Sequence, residues 1–465
     1  MKTATESSCF VGVRALRARV TGMYNRGESR PRRRAQEIAM TVARAAFPFA
    51  LIACVAGADA QCVRNAYRQT NLVSNMPEVE PQILDPLLID GWSVAIRPPG
   101  AGGHFWVANR GSGTVSTYVG DVPGVPLYQD ELTHVGVPSS IIYANLPETV
   151  SQPTGQVYTG RSKTDFMISG EGVTGPATFL FVALDGTISG WRDGMSSAVN
   201  VFDDSASGAM FTGIAVTEES EDNRIWVCDF GLETLRCFDK EFKEIPLSGG
   251  AFRDPRVPGY VTPWNIQYLQ GRLYIAWARQ GDDPGEEEPY PGYGWVSCFD
   301  TEGNLLQTFE HVMELNAPWG LAIAPHDFGA LSNTLLVANF GDGTTIAFDL
   351  ETGKFIDYLR DEHDAPVFID GIWGYTFGNG VRLGRLNHLY FVAGPNVELD
   401  GLFGKLAPVT PRSVDLDGSG RVDFPDLGVL YRAYGKSAEA DLNGDEATDF
   451  EDLDILLGRF GQRCD

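Results

Sequence analysis

WGLAIAPHDFGALSNTLLVANFGDGTTIAFDLETGKFIDYL, residues 319–359, is the stretch on which the fold turns. It holds four short apolar runs: WGLAI (319–323), LLVAN (335–339), TIAFD (345–349) and KFIDYL (354–359). β-branched and aromatic residues alternate in them and glycine falls among them, which favours strands over helices. A sheet this small cannot bury both faces alone, so the unit must repeat.

It does so at about 55 residues. First strands read GWSVAI (91–96), TGQVY (154–158), TGIAV (212–216), WNIQY (264–268), WGLAI (319–323) and DGIWG (370–374). The aligned positions are Ser93, Gly155, Gly213, Asn265, Gly320 and Gly371. Second strands read FWVAN (105–109), FLFVA (179–183), IWVCD (225–229), LYIAW (273–277), LLVAN (335–339) and LYFVA (389–393). Third strands include VSTYV (115–119), ISGWR (188–192), LRCFD (235–239), VSCFD (296–300) and TIAFD (345–349). Six such units imply an all-β, six-bladed β-propeller, whose closure protects the sheet edges. The sixth unit ends near Leu406 with three clear strands. TNLVSN (70–75) is a spare strand ahead of the first unit. It is expected to close the ring as the outer strand of the sixth blade.

Composition agrees. A chain of 465 residues exceeds one ordinary core. Its 53 Gly and 27 Pro follow no triplet period, so they mark turns rather than collagen. The net charge is −25, but residues 1–60 carry ten Lys/Arg against four acids, leaving the remainder at −31. So acidic a body is a poor partner for nucleic acid, and cations suit it better.

The sequence divides into residues 1–60, 61–408, 409–414 and 415–465. AAFPFALIACVAGA (45–58), followed by Ala58-Asp59-Ala60, reads as a secretory signal peptide with cleavage before Gln61. Met40 is an alternative start, which would make residues 1–39 a mis-called extension. Leu51-Ile52-Ala53-Cys54 offers a rival lipoprotein signal with Cys54 lipidated. The expected location is secreted, periplasmic or cell surface, and no later stretch of 18 apolar residues spans a membrane. Five cysteines then remain: Cys62, Cys228, Cys237, Cys298 and Cys464. With a hairpin loop at 231–234, Cys228 and Cys237 face each other; they form a disulfide or two small buried apolar contacts.

A Pro-containing linker (409–414) leads to DLDGSGRVDFPD (415–426) and DLNGDEATDFED (441–452), two copies 26 residues apart. Oxygen ligands at loop positions 1, 3, 5, 9 and 12 and a carbonyl at 7 fit a calcium loop. The first set is Asp415, Asp417, Ser419, the Arg421 carbonyl, Asp423 and Asp426. The second is Asp441, Asn443, Asp445, the Ala447 carbonyl, Asp449 and Asp452. Two Ca²⁺ ions are expected, the second held more weakly because Glu446 replaces the turn glycine that Gly420 supplies. Each loop starts a helix, with Leu427, Leu430, Tyr431 and Tyr434, then Leu453, Leu456, Leu457 and Phe460, at helical spacing. Gly435 and Gly461 sit where C-terminal caps would.

This tandem resembles a type I dockerin, above all the dockerin-like repeats of planctomycete secreted proteins. The resemblance implies a small all-α calcium-binding EF-hand pair and a protein or cell-surface partner. Phe424-Pro425 and Phe450-Glu451 replace the small hydroxyl residues that help cellulosomal dockerins read cohesin. Residues 69–408, through FWVANRGSGT (105–114), DGTISGW (185–191), FRDPRVPGYVTPWNIQ (252–267), LNAPWGLAIAP (315–325) and IDGIWGYTFGNG (369–380), resemble an uncharacterised family of secreted bacterial propellers. More distantly the units are similar to NHL-repeat and SMP-30/lactonase-type propellers. The lactonase resemblance implies a channel metal held by such residues as Asn109, Asp229 and Asn339. Asp90 and Asp370, ahead of the first and sixth inner strands, are further channel candidates. The alternative is that these side chains only start turns.

No G-x-S-x-G, HExxH, P-loop or Rossmann fingerprint occurs, and the six histidines are scattered. GDDPGEEEPYPGYG (281–294) reads as a long acidic loop, and the rings of Tyr290, Tyr293 and the adjacent Trp295 could stack on sugars. The expectation is a non-enzymatic exported binding or scaffold protein, with a carbohydrate or small-molecule ligand on the propeller. The alternative is an extracellular metal-dependent lactonase-like hydrolase or polysaccharide-active enzyme.

Overall fold

The computed structural model describes residues 65–409 apart from 141–150, 161, 218–222 and 283–284, and residues 414–461 apart from 418, 420, 438–439 and 443–446. The stretch expected to be a signal peptide, Cys54, Cys62, Cys464, Asn443, Asp445, Gly420 and Glu446 lie outside the described residues. Six antiparallel sheets follow one another along the chain. Their inner strands are Gly91–Ala95, Pro153–Tyr158, Phe211–Thr217, Val261–Leu269, Pro318–Ile323 and Ile372–Phe377. Each inner strand packs against the next, and the sixth packs against the first, so the ring closes. The protein is a six-bladed propeller followed by two helices.

Closure uses the spare strand. Tyr67–Ser74 pairs antiparallel with Leu402–Pro408, the third strand of the sixth blade, from Tyr67↔Pro408 to Ser74↔Leu402. A short parallel edge, Ile83–Leu84, covers its far side. Blade two carries an extra hairpin, Met167–Gly170 with Val173–Pro176.

Every inner strand is bulged at the same place. In the first blade Gly91 faces Asn109 and Ser93 faces Ala108, so Trp92 is the extra residue. The same break frees Thr154, Thr212 and Trp264. In blades five and six it frees Trp319 with Gly320 and Trp373 with Gly374. A bulge re-aims the side chain it releases, and here all six turn inward, each at most 2 % exposed. Trp92 meets Trp264 at 6.0 Å although they belong to opposite blades, which places both rings at the axis. Trp373 stacks on Trp92 at 4.1 Å, and the Trp319 indole N–H donates to the Thr212 carbonyl at 3.1 Å. The channel is therefore plugged by aromatic rings.

The glycines one step further along let neighbouring blades meet. A Cβ on Gly213 would lie 2.4 Å from Asn265 Oδ1, and one on Gly320 would lie 2.3 Å from the Trp373 carbonyl oxygen. In the sixth blade this role falls to Gly374, not Gly371. Gly371, at φ 63°, is a turn residue ahead of the strand, and its carbonyl accepts from Gly394 N. The tight turn drew the sequence alignment three residues too early.

The cysteine hairpin also differs from expectation. Asp229 pairs with Thr234, so the turn is 230–233, one residue earlier than 231–234. Cys228 then faces Leu235 and Cys237 faces Trp226; these thiols and that of Cys298 are buried and form no disulfide.

Helices α1 (Phe424–Ala433) and α2 (Phe450–Gly458) each begin with a capping box, Asp423 with Asp426 and Asp449 with Asp452. Gly435 and Gly461 take positive φ beyond their ends, as the sequence suggested. The pair is internally symmetric. Gly435 N donates to the Thr448 carbonyl and Gly461 N to the Val422 carbonyl, each at 2.8 Å. Among the described residues no helix is long and apolar enough to cross a membrane.

Candidate functional site

The first acidic loop draws three of its carboxylates together. Oxygens of Asp415, Asp417 and Asp426 all lie within 4.8 Å of one another. Backbone N–H groups hold them there: Ser419 N donates to Asp415 Oδ1 and Asp417 Oδ1, and Asp417 N donates to Asp426 Oδ1. Ser419 Oγ reaches the Arg421 carbonyl at 3.3 Å, while Asp423 caps the helix. In the second loop Asp452 accepts from Leu442 N and Asp449 N, and Asp449 accepts from Glu451 N. Asp441 is buried at its start. The chemistry of the first set, hard oxygens from a short loop, suits a divalent cation.

Beside these loops the helices leave apolar surface uncovered. Leu430 and Leu456 are buried, but Phe424 is 75 % and Tyr431 77 % exposed. With Leu427, Tyr434, Leu453 and Leu457 they line a groove of about 670 Å³. The helical stripe read from the sequence is thus wider than the core it covers.

On the propeller the expected channel residues behave differently. Asn109 donates to Ser116 Oγ, Asp229 accepts from Met210 N and Leu232 N and pairs with Arg236, and Asn339 donates to the Glu314 carbonyl. They tie turns and do not converge at the axis. Asp370 is exposed and accepts from Asn396 N. Of the three rings proposed for sugar stacking, only Tyr290 is exposed. Trp295 is buried and stacks on His311 at 4.6 Å, and Tyr293 is half-buried.

Asp90, at the channel mouth, belongs like Asp229 with Arg236 to a charged cluster. It is fully buried at φ 51°, and Arg110 Nε donates to its Oδ2. Arg110 Nη2 donates to Glu398, from the loop after the second strand of blade six. The guanidinium lies 5.0 Å from the Trp92 ring centre. Glu286 and Glu287, from the long loop of blade four, act on the same group. Burial pushes the Asp90 carboxyl up, against the pull of Arg110. Burial also raises Glu398, helped by the charges of Asp90 and Glu286. Glu287 is pushed up to about 8, first by burial and then by Glu398 and Glu286. The Trp373 indole N–H also acts on the Asp90 carboxylate and, with Arg110, opposes its rise.

The sequence carried one signal for this cluster. Second strands end Asn-Arg-Gly (109–111), Asp-Phe-Gly (229–231) and Asn-Phe-Gly (339–341). Phe230 and Phe340 pack on Trp264 and Trp373, each with ring centres at 4.0 Å. Arg110 takes the same place over Trp92, so a charge stands where the repeat otherwise has a ring.

No protein-family model matches the chain. An uncharacterised protein, R648, of Acanthamoeba polyphaga mimivirus is 27 % identical over 330 residues, covering 69 % of this chain and 76 % of its own. Another from that virus, L690, is 26 % identical over 333 residues, 69 % of this chain and 81 % of its own. Among solved structures, virginiamycin B lyase from Staphylococcus aureus aligns over 73 % of this chain and 98 % of its own at 10 % identity and TM-score 0.40. The soluble aldose sugar dehydrogenase of Escherichia coli aligns over 74 % of this chain and 100 % of its own at 13 % identity and TM-score 0.43. Neither likeness carries an activity to this chain.

Proposed function

We propose that this is an exported scaffold protein whose propeller presents a ligand surface and whose C-terminal helix pair, loaded with calcium, attaches it to a protein or cell-surface partner. The observation that carries the reading is the convergence of Asp415, Asp417 and Asp426. Three carboxylates so close repel one another unless a cation joins them. The ligand set would be completed by Ser419, the Arg421 carbonyl and Asp423. The second loop would use Asp441, Asn443, Asp445, the Ala447 carbonyl, Asp449 and Asp452. The exposed groove beside Phe424 and Tyr431 supplies the apolar patch that a docking partner would cover. The dockerin-like reading of the sequence and the signal-peptide pattern point the same way. The lactonase-like alternative draws no support from Asn109, Asp229 and Asn339, which are committed to turns.

The test is calorimetric titration of the full chain with Ca²⁺. We expect two sites of unequal affinity, and Asp415→Ala with Asp426→Ala should remove the tighter one. Heat-silent titration of the intact protein, or titration unchanged by that pair of substitutions, would sink the reading.

A further inference from the structure

The two acidic loops hold the two helices crosswise. Helix α1 starts from the first loop, at Asp423, and α2 from the second, at Asp449. Past their far ends the partners are exchanged. Gly461, beyond α2, donates its N–H to the Val422 carbonyl in the first loop, and Gly435, beyond α1, donates to the Thr448 carbonyl in the second, each at 2.8 Å. Both glycines sit at positive φ, 85° and 66°, which turns the chain back towards the opposite loop.

Each bond lands on a peptide inside a proposed ligand set. Val422 stands between Arg421 and Asp423, whose carbonyl and carboxylate would complete the first set. A peptide group is planar, so the Val422 carbonyl and the Asp423 N–H move as one. The carbonyl is fixed by Gly461, and the N–H donates to Asp426 Oδ2 at 2.7 Å. Asp426 is fully buried, and its other oxygen accepts from Asp417 N at 3.0 Å. One hydrogen-bonded chain thus runs from the last turn of the helix pair to a carboxylate of the triad, and bonds in such a chain polarise one another. The second loop repeats it: Thr448 accepts from Gly435, and Asp449 N donates to Asp452 Oδ2 at 2.8 Å. A ring contact lies alongside, with Phe460 packed edge-on against Phe424, the first residue of α1, at 5.1 Å between ring centres. Asp423 Oδ1, next to the pinned peptide, is buried with no donor, which suits a cation.

We infer that Gly461 is a positioning residue of the first cation site: through the Val422–Asp423 peptide its N–H sets the direction of the Asp426 carboxylate, as Gly435 does for Asp452. The turn after α2 is therefore part of a site whose last carboxylate lies 35 residues earlier, from Gly461 back to Asp426. The inference rests on the calcium reading of that loop and adds how the loop is held.

The test compares the full chain with chains ending at Gln462 and at Phe460, each titrated with Ca²⁺ by calorimetry. Ending at Phe460 removes the Gly461 N–H but keeps the Phe460 ring and every proposed ligand. Ending at Gln462 keeps the donor. The tighter site should weaken about fivefold in the chain ending at Phe460, while the weaker site keeps its affinity and the chain ending at Gln462 matches the full one. A general loosening of the helices would instead lower both affinities together. Amide exchange gives a second readout: Ca²⁺ should slow exchange at Gly461 in the full chain. Equal weakening of both sites, no weakening at Phe460, equal weakening at Gln462, or an unchanged exchange rate at Gly461 would overturn the inference and leave calcium binding in place. A full chain that takes up no Ca²⁺ would remove the calcium reading itself, and the inference with it.

Discussion

Removing the Arg110 guanidinium tests how the mouth is built. In Arg110→Met the side chain keeps its length and its apolar contact with Trp92, while Asp90 loses the donor to its Oδ2 and Glu398 loses its partner. Asp90 is fully buried, so its carboxylate would then stand uncompensated. Breaking such a pair costs about 3–5 kcal/mol. For a propeller of this size the unfolding entropy is about 0.7 kcal/mol/K, so the melting midpoint should fall by about 4–7 °C. The escape is protonation. A carboxyl whose folded-state pKa is raised contributes stability that is full below the unfolded value and is lost as pH rises through the folded one. The cost of Arg110→Met should therefore be greatest near pH 8. It should shrink by about 1.4 kcal/mol per unit as pH falls, until Asp90 is protonated in the wild type as well. Urea unfolding followed by tryptophan fluorescence reads this directly, since Trp92, Trp264 and Trp373 lie beneath the cluster. Asp90→Asn in the Arg110→Met background should recover most of the loss. A cost below about 1 kcal/mol at neutral pH, or one that does not change with pH, would refute the argument.

Gly320→Ala should cost about 1–3 kcal/mol in thermal unfolding, because the new Cβ would meet the Trp373 carbonyl at 2.3 Å and the inner ring would have to widen. Burial pushes Glu287 up to about 8, so the wild-type protein should lose stability as pH rises from about 4.5 to about 8 and level off above that, and Glu287→Gln should flatten that slope in the same melts. Asp85 behaves oppositely. Burial would raise it, but hydrogen bonds from His134, Tyr118 and Leu87 N hold it at about 2, so its stabilisation persists above the unfolded value and should be lost as pH falls towards 2. Asp85→Asn should reduce that acid sensitivity. Deleting residues 65–75 removes the strand that closes the sixth blade, and the exposed edge of Leu402–Pro408 should show as aggregation in light scattering.

The repeat made six blades legible because each blade must present the same apolar strands to its neighbours. The closing strand was legible for a related reason: TNLVSN was the one strand without a unit, and the sixth unit lacked a fourth strand. Registers were less legible. Gly371 and Gly374 both stand near a tryptophan, and only the pairing of Tyr375 with Phe391 shows which one lies in the strand. A shift of one residue in the 230–233 turn likewise separated Cys228 from Cys237, since cross-strand partners move with the turn. The converging carboxylates at Asp415, Asp417 and Asp426 lie within one short loop, where spacing alone brings them near. The mouth cluster is drawn from four segments up to 308 residues apart in sequence, from Asp90 to Glu398. No spacing rule joins them; only the ring does.

The bulge common to all six inner strands explains why the buried charges lie at the mouth rather than along the channel. A residue released by a bulge points to the axis, and four of the six such residues are tryptophans. Their rings fill the space that a channel metal and its substrate would need. Residues at the ends of the second strands lie one level above this plug. There Asn109, Asp229 and Asn339 turn back to hold their own loops, and the next residue along faces the axis: Phe230, Phe340 or Arg110. A phenylalanine in that place only thickens the apolar floor. An arginine brings a charge to the axis, and a buried charge must draw carboxylates towards it. On this argument Arg110→Phe, which restores the repeat, should be tolerated only together with Asp90→Asn. A single Arg110→Phe variant as stable as wild type at pH 8 would show that the floor, not the ion pair, sets the architecture of the mouth.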